Sequence, residues 1–149
     1  MKNTSLYKHD VNYAVEHNEV EQYRESYKVN SACKEAIDRA INYNYSDNRL
    51  NSKAALKEVE EKFDKERIAY VLANTIQFKD WDERICRKNK EWAKSIEIWR
   101  DKQAGESDDH RPFIIGKAHP GLIDLFTTRF VSEYEKEAEY EYDEEELEL

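Results

Sequence analysis

Apolar residues recur along this chain at the spacing of helix faces. Val20, Tyr23 and Tyr27 share one face, with Asn18 placed to cap the helix start and Glu21 in its first turn. Cys33, Ala36, Ile37, Ala40 and Ile41 continue the stripe at i, i+3, i+4, i+7 and i+8. The polar stretch 42–51 predicts a connection. Ser52 is placed to cap the next helix, whose Leu56, Val59 and Phe63 line one side. Asp64 caps a third unit, Ile68 to Ile76, which is apolar nearly all round and therefore suits a central helix. Its Val, Ile and Thr content leaves a short buried strand as the second reading. Asp80-Trp81-Asp82 breaks the pattern, and Ile85, Trp92, Ile96 and Trp99 mark one more helix. Residues 103–111 read as a polar loop, and Phe113-Ile114-Ile115 as the one strand-like run. His119-Pro120-Gly121 turns into a last helix carrying Leu122, Leu125, Phe126 and Phe130.

Glycine and proline agree with this pattern, since all five (Gly105, Pro112, Gly116, Pro120, Gly121) fall late in the chain. A chain without either residue over its first 104 positions favours helix over a turn-rich β architecture. The expected fold is mainly α, a compact single-domain helical bundle with at most one short strand or hairpin near residues 113–116. The expected division is a helical domain over 1–132 and an acidic C-terminal tail or helix extension over 133–149. No internal repeat at a solenoid period is present.

Charged residues make up 38% of the chain, against about 25% in an average domain, so the core must be economical. Three Trp, ten Tyr and five Phe supply its bulk. There is no apolar run of transmembrane length, and the first residues lack the apolar segment of a signal peptide. Cys33 and Cys86 are far apart and make no metal-type spacing. A cytoplasmic protein with reduced thiols follows, with no membrane association and no cofactor or metal expected. The net charge is −9, and the segment from Glu133 to Leu149 holds ten acidic residues against one lysine. That segment carries the whole excess; the rest of the chain is balanced.

The densest polar and aromatic stretch runs from Asn74 to Arg84. Asp80 and Asp82, two residues apart beside Arg84, suit acid–base or metal chemistry if the carboxylates converge. The same residues suit helix caps, or partners for Arg84, and Asn74 and Gln77 suit ties between helix ends. The expectation is one polar–aromatic cluster of Asn74, Gln77, Asp82, Arg84 and Trp92. A wider polar pocket would add Asp80, Asn89 and His119. No calcium loop, zinc spacing, phosphate cradle or nucleophile elbow occurs. His119 before Pro120-Gly121 can present an imidazole at a helix start, with capping or packing the simpler use. Cys33 reads as a small core residue, and Cys86 falls where a helix cap is expected, a position that lowers a thiol pKa. Arg84, Arg87, Lys88 and Lys90, with Trp81, Trp92 and Trp99 nearby, could follow a nucleic-acid strand or form a solvated helix face.

The acidic segment offers a further candidate. Glu135, Glu137, Glu139, Glu141, Asp143, Glu144, Glu145 and Glu146, interleaved with tyrosines, can mimic nucleic-acid charge in a basic groove of a partner. A solubilising end is the plainer use.

Several segments together resemble a known family. They are Tyr13-Ala14; Asn18, Tyr23, Arg24 and Ser26; Asn30 with Cys33-Lys34-Glu35-Ala36-Ile37; Arg67 with Tyr70-Val71-Leu72-Ala73-Asn74-Thr75-Ile76-Gln77; Lys79-Asp80-Trp81-Asp82 with Arg84; Asn89-Lys90 with Trp92-Ala93-Lys94; and His119-Pro120-Gly121-Leu122. Over roughly residues 6–130 the chain is similar to a domain-of-unknown-function family of phages and conjugative elements in gut-dwelling Gram-positive bacteria. Family members usually read Asp-Gly-Arg-Phe-Ser where this chain has Asp82-Glu83-Arg84-Ile85-Cys86, which replaces a glycine suited to positive φ and a serine cap donor. The acidic segment lies outside the family pattern.

The resemblance implies a mobile-element setting and brings no established activity. With the acidic segment it leads to the expectation of a non-enzymatic binding protein, an inhibitor of a host nuclease defence such as CRISPR or restriction. Its partner would be a basic nuclease or nucleoprotein complex, without tight binding of duplex DNA by the chain itself. The alternatives are an enzyme or small-ligand domain with a pocket of Asp80, Asp82, Arg84, Asn89 and His119, or a nucleic-acid-associated accessory domain.

Overall fold

A computed structural model describes residues 4–98 and 114–147, with 136–147 as helix backbone alone. It is mainly helical, as the periodicity requires. Helix α1, Val11–Glu16, starts where the Asp10 side chain accepts from the Tyr13 amide at 2.9 Å. Helix α2, Val20–Tyr43, is preceded by Asn18 at φ 56°, in the left-handed region that asparagine tolerates. Asn18 is therefore the turn between α1 and α2 and not the cap. Glu19 holds the cap position without a side-chain cap bond, and its carboxylate accepts instead from the Tyr7 hydroxyl at 3.2 Å.

The polar connection contains the hairpin. Strands β1, Tyr45–Ser46, and β2, Arg49–Leu50, pair antiparallel with Tyr45 opposite Leu50 and Ser46 opposite Arg49. Asp47 and Asn48 between them both have positive φ, 52° and 62°, the geometry of a type I′ turn. Among the described residues no strand forms at the place expected near 113–116: Ile114 to Ala118 is an irregular segment, while Phe113 and the loop 103–111 lie outside the described residues. Two buried bonds hold that segment, from the Ile115 amide to Thr75 Oγ1 at 3.0 Å and from the Ala118 amide to Asp38 Oδ1 at 2.9 Å. Two of its amides are thus satisfied by helix side chains in place of strand pairing.

Helix α3, Ser52–Glu60, is capped by Asn51, whose side chain accepts from the Ala54 amide at 3.2 Å. Ser52 is its first residue, and its hydroxyl accepts from Arg129 Nε at 3.2 Å. Helix α4, Lys65–Phe78, begins at the expected Asp64 cap and is buried from Arg67 to Ile76 except at Ala69. The strand alternative for this stretch falls away. Helix α5, Arg87–Lys94, follows a turn over 79–86, and Trp99 of the expected stripe lies outside the described residues. Helix α6, Pro120–Leu147, runs without interruption across the boundary between the balanced body and the acidic segment.

The main core joins α2, α3, α4 and α6 through residues such as Ile37, Leu56, Leu72 and Phe126. A smaller cluster of Ala73, Ile76, Ile85 and Ala93 joins α4 to the turn and α5. Helix α4 contributes to both. In α6 the buried face is Ile123, Phe126, Phe130 and Val131, whereas Leu125 is 50% exposed, contrary to its place in the expected stripe.

Candidate functional site

The turn after α4 is built around Asp82. Its carboxylate is buried and accepts from the Arg84 amide at 3.0 Å, from Arg84 Nε at 2.9 Å and from the other arm of the guanidinium at 2.8 Å. This fork holds the Asp82 carboxyl well below the usual carboxylate range, the Arg84 side-chain bonds contributing most, then its backbone bond. The depressed pKa gives a sign. The contribution of Asp82 to stability is complete above the ordinary aspartate value of about 4 and is lost as pH falls below it. Melting points of wild type and Asp82→Asn should therefore differ at neutral pH and converge between about pH 4 and pH 2. A difference that persists unchanged in acid would contradict this. No described residue near Asp82 has positive φ, so Glu83 sits in this turn without backbone strain.

His119 meets this turn from α6. Its Nδ1 accepts from the Gly121 amide at 3.0 Å, and its Nε2 lies 3.4 Å from an Arg84 nitrogen. A neutral imidazole has one unprotonated nitrogen, so with Nδ1 accepting, the approach of Nε2 to Arg84 is proximity and not a hydrogen bond. His119 is thus a helix-start residue. Asp80 does not converge on Asp82; it is half exposed and lies 3.8 Å from Lys94 Nζ.

The remaining polar residues lock helices together. Asn89, buried on α5, donates to Asp124 Oδ1 at 2.7 Å, to the Asp124 carbonyl at 3.2 Å and to Thr128 Oγ1 at 3.0 Å. The same Asp124 oxygen accepts from the Cys86 amide at 2.9 Å. A residue of α6 therefore caps α5, in place of the side-chain cap that Cys86 lacks. Asp124→Ala should lower stability by about 1 kcal/mol, measured by urea denaturation, since it removes the cap of α5 and one of the three acceptors of Asn89. Gln77 closes the other end of α5, donating to the carbonyls of Ala93 at 2.8 Å and Ile96 at 3.3 Å. Asn74 donates back to Tyr70 of its own helix at 3.1 Å. The expected single cluster thus divides into the Asp82–Arg84 fork, the Gln77 tie, the Asn74 back-bond and Trp92.

Trp92 instead belongs to an aromatic cavity. Its ring meets Phe130 edge-on at 6.0 Å, and Phe130 stacks with Tyr134 at 6.1 Å. With Tyr70 of α4 and Leu6 of the N-terminal segment these rings line a cavity of about 400 Å³, with Lys65, Glu66 and Glu97 also on its walls. Such a size is ordinary for a ligand site. Nothing in the sequence groups these residues, which come from four separate segments; the signal available was only the excess of aromatics.

A second feature also escapes sequence pattern. Arg67 is 1% exposed, and its guanidinium donates to the Ser26 carbonyl at 2.9 Å, to Asn30 Oδ1 at 2.5 Å and to the Thr4 carbonyl at 2.8 Å. Burial pulls its pKa down, opposed by the nearby Asp64 carboxylate. The available signal was a basic residue three positions before Tyr70 and four before Val71, on a buried face. Tyr7 seals the same region, its amide donating to Ser26 Oγ at 2.9 Å, and burial pushes its hydroxyl up to about 12. Burial likewise pushes the Cys33 thiol up to about 12, which makes it an inert core residue; Cys86 is exposed.

The basic quartet is largely engaged within the fold. Arg84 holds Asp82, Arg87 lies 3.1 Å from Glu91, and Lys88 lies 3.8 Å from Glu135. Glu135 is therefore the one proposed acidic contact whose side chain is placed, and it faces α5. The side chains of Glu137, Glu139, Glu141, Asp143, Glu144, Glu145 and Glu146 lie outside the described residues. Among the described residues no group of three or more His, Cys, Asp or Glu could hold a metal ion, and no helix is long and apolar enough to cross a membrane.

Residues 6–135 match the family described as a protein of unknown function (DUF3849), and the chain belongs to that family. No curated protein and no solved structure matches the chain.

Proposed function

We propose that this chain is a non-enzymatic protein-binding module that presents an acidic rod to a basic partner. The observation that carries this reading is the continuity of α6. Its first half is anchored in the core by Ile123, Phe126 and Phe130, and the helix then continues to Leu147 through the acidic segment. From Glu133 to Leu147 the rod is about 22 Å long at 1.5 Å per residue. Carboxylates spaced three and four apart on one helix repel each other, and acidic residues at a helix C-terminus oppose its dipole. A positive surface relieves both effects, and water does so less well.

The proposed setting is the cytoplasm of a gut Gram-positive bacterium carrying a phage or conjugative element, and the proposed partner is a nuclease of host defence, of CRISPR or restriction type. Support for a partner that handles nucleic acid is the density of negative charge along a rod, which suits a groove built for phosphates. The polar-pocket alternative has less support, because the Asp82 carboxylate and the amide N–H groups of Asn89 are already engaged by Arg84, Asp124 and Thr128. The nucleic-acid accessory alternative is weakened by the acidic partners of Arg84, Arg87 and Lys88.

The test is to add the purified chain to cleavage reactions of such nucleases. Inhibition that weakens as salt rises is expected, because exposed charges are screened within about 8 Å at physiological ionic strength. A mobility shift of duplex DNA by the chain alone at sub-micromolar concentration in about 150 mM salt would instead support the accessory reading.

A further inference from the structure

The cavity at the junction of α4, α5 and α6 is not used by the acidic rod, yet it opens beside the point where the rod begins. We infer that it receives a cationic side chain, arginine in preference to lysine, from the same basic partner. This rests on the reading that the partner is basic, and adds the kind of residue it inserts.

Four aromatic rings line the site: Tyr70, Trp92, Phe130 and Tyr134. Aromatic faces carry negative π charge and attract cations within about 6 Å, tryptophan best, and the planar guanidinium also stacks. The rings are held in place. Tyr70 and Phe130 are buried, and Trp92 lies on a helix tied at its start by Asp124 and at its end by Gln77. Tyr134 is 51% exposed and stands one turn beyond Phe130, at the open side. A receptor already built does not lose its ordering entropy on binding.

Charge selects among occupants. Glu66 is neutralised by Lys8 at 2.7 Å, and Lys65 also contributes to the wall. Glu97 is exposed and has no ion-pair partner among the described residues. Glu97 is thus the carboxylate of the wall left to draw a cation inward. An apolar side chain would gain the walls alone and would strip water from Glu97 without replacing it.

The experiment follows the Trp92 indole N–H by NMR in the full chain while titrating short peptides that alternate glycine with arginine, citrulline, lysine or leucine. The arginine peptide should shift this signal, the lysine peptide should do so more weakly, and the neutral citrulline and leucine peptides should not. Tyr134→Leu, conservative in size at a half-exposed position, should weaken the arginine response about tenfold. Equal responses to arginine and citrulline, a preference for leucine, or an unchanged response in Tyr134→Leu would each overturn the inference. Replacing Glu141, Glu144, Glu145 and Glu146 with glutamine separates the two readings. A Trp92 response to arginine that survives in a variant with wild-type nuclease binding would sustain the cavity and sink the rod. A silent Trp92 with nuclease binding that depends on the four glutamates would do the reverse.

Discussion

Arg67→Met should lower the melting temperature by at least about 10 °C, corresponding to a loss of about 3–5 kcal/mol. The side chain is almost fully buried, and three oxygens converge on its guanidinium, one on Thr4 of the N-terminal segment and two on Ser26 and Asn30 of α2. Methionine fills similar length but leaves those acceptors in a dry site without donors, each at a cost of about 1–3 kcal/mol. The Thr4 contact also ties residues 4–10 to α4, so their amide protons should exchange faster in the variant. Arg67→Lys keeps the charge and loses the planar fork, and should fall between the two. Melting within about 2 °C of wild type for Arg67→Met would show that the acceptors find water and that Arg67 organises nothing.

The helices were legible where burial leaves a one-dimensional trace. Ile68 to Ile76 is apolar nearly all round because α4 packs in both core clusters, and the Asp64 cap precedes it at the standard spacing. Cys33, Ile37, Ala40 and Ile41 mark the buried face of α2 at helical period. Boundaries failed where neighbouring residues can do the same work. Asn51 and Ser52 are both good caps, and tertiary contact with Arg129 decides that Ser52 serves inside the helix. The hairpin was missed because its turn, Asp47-Asn48, reaches positive φ without glycine, and its strands are two residues long. Ile114-Ile115 has the composition of a strand, yet side chains of α2 and α4 satisfy the backbone around it.

The candidate site was legible in its residues and not in its connections. Asn89 and Gln77 do join helices, but through Asp124, Thr128 and the carbonyls of Ala93 and Ile96, partners that lie from 16 to 39 positions away. Sequence spacing carries no record of such pairings. The aromatic cavity is the same case, since Tyr70, Trp92 and Tyr134 belong to different helices. Arg67 was hidden for another reason: a charged residue at a helix start looks like surface, and only the packing of the N-terminal segment makes it interior.

Binding to a nuclease partner by the variant with glutamine at positions 141, 144, 145 and 146 is the most direct test of the account. Glutamine keeps length and helix propensity and removes four charges from the acidic segment. Each exposed pair is worth about 0.2–1 kcal/mol, so affinity should fall between about fourfold and several-hundredfold, and its dependence on salt should flatten. The melting temperature should hold or rise, because repulsion within α6 is reduced. Truncation after Ser132 should weaken binding at least as much while the body stays folded, since the core residues lie upstream and Tyr134 alone is lost from the cavity wall. Calorimetric titration of both variants at low and physiological salt reads these effects together. Weakened, salt-insensitive binding with undiminished stability is the predicted result, and full-strength binding by the charge-neutral variant would contradict the account.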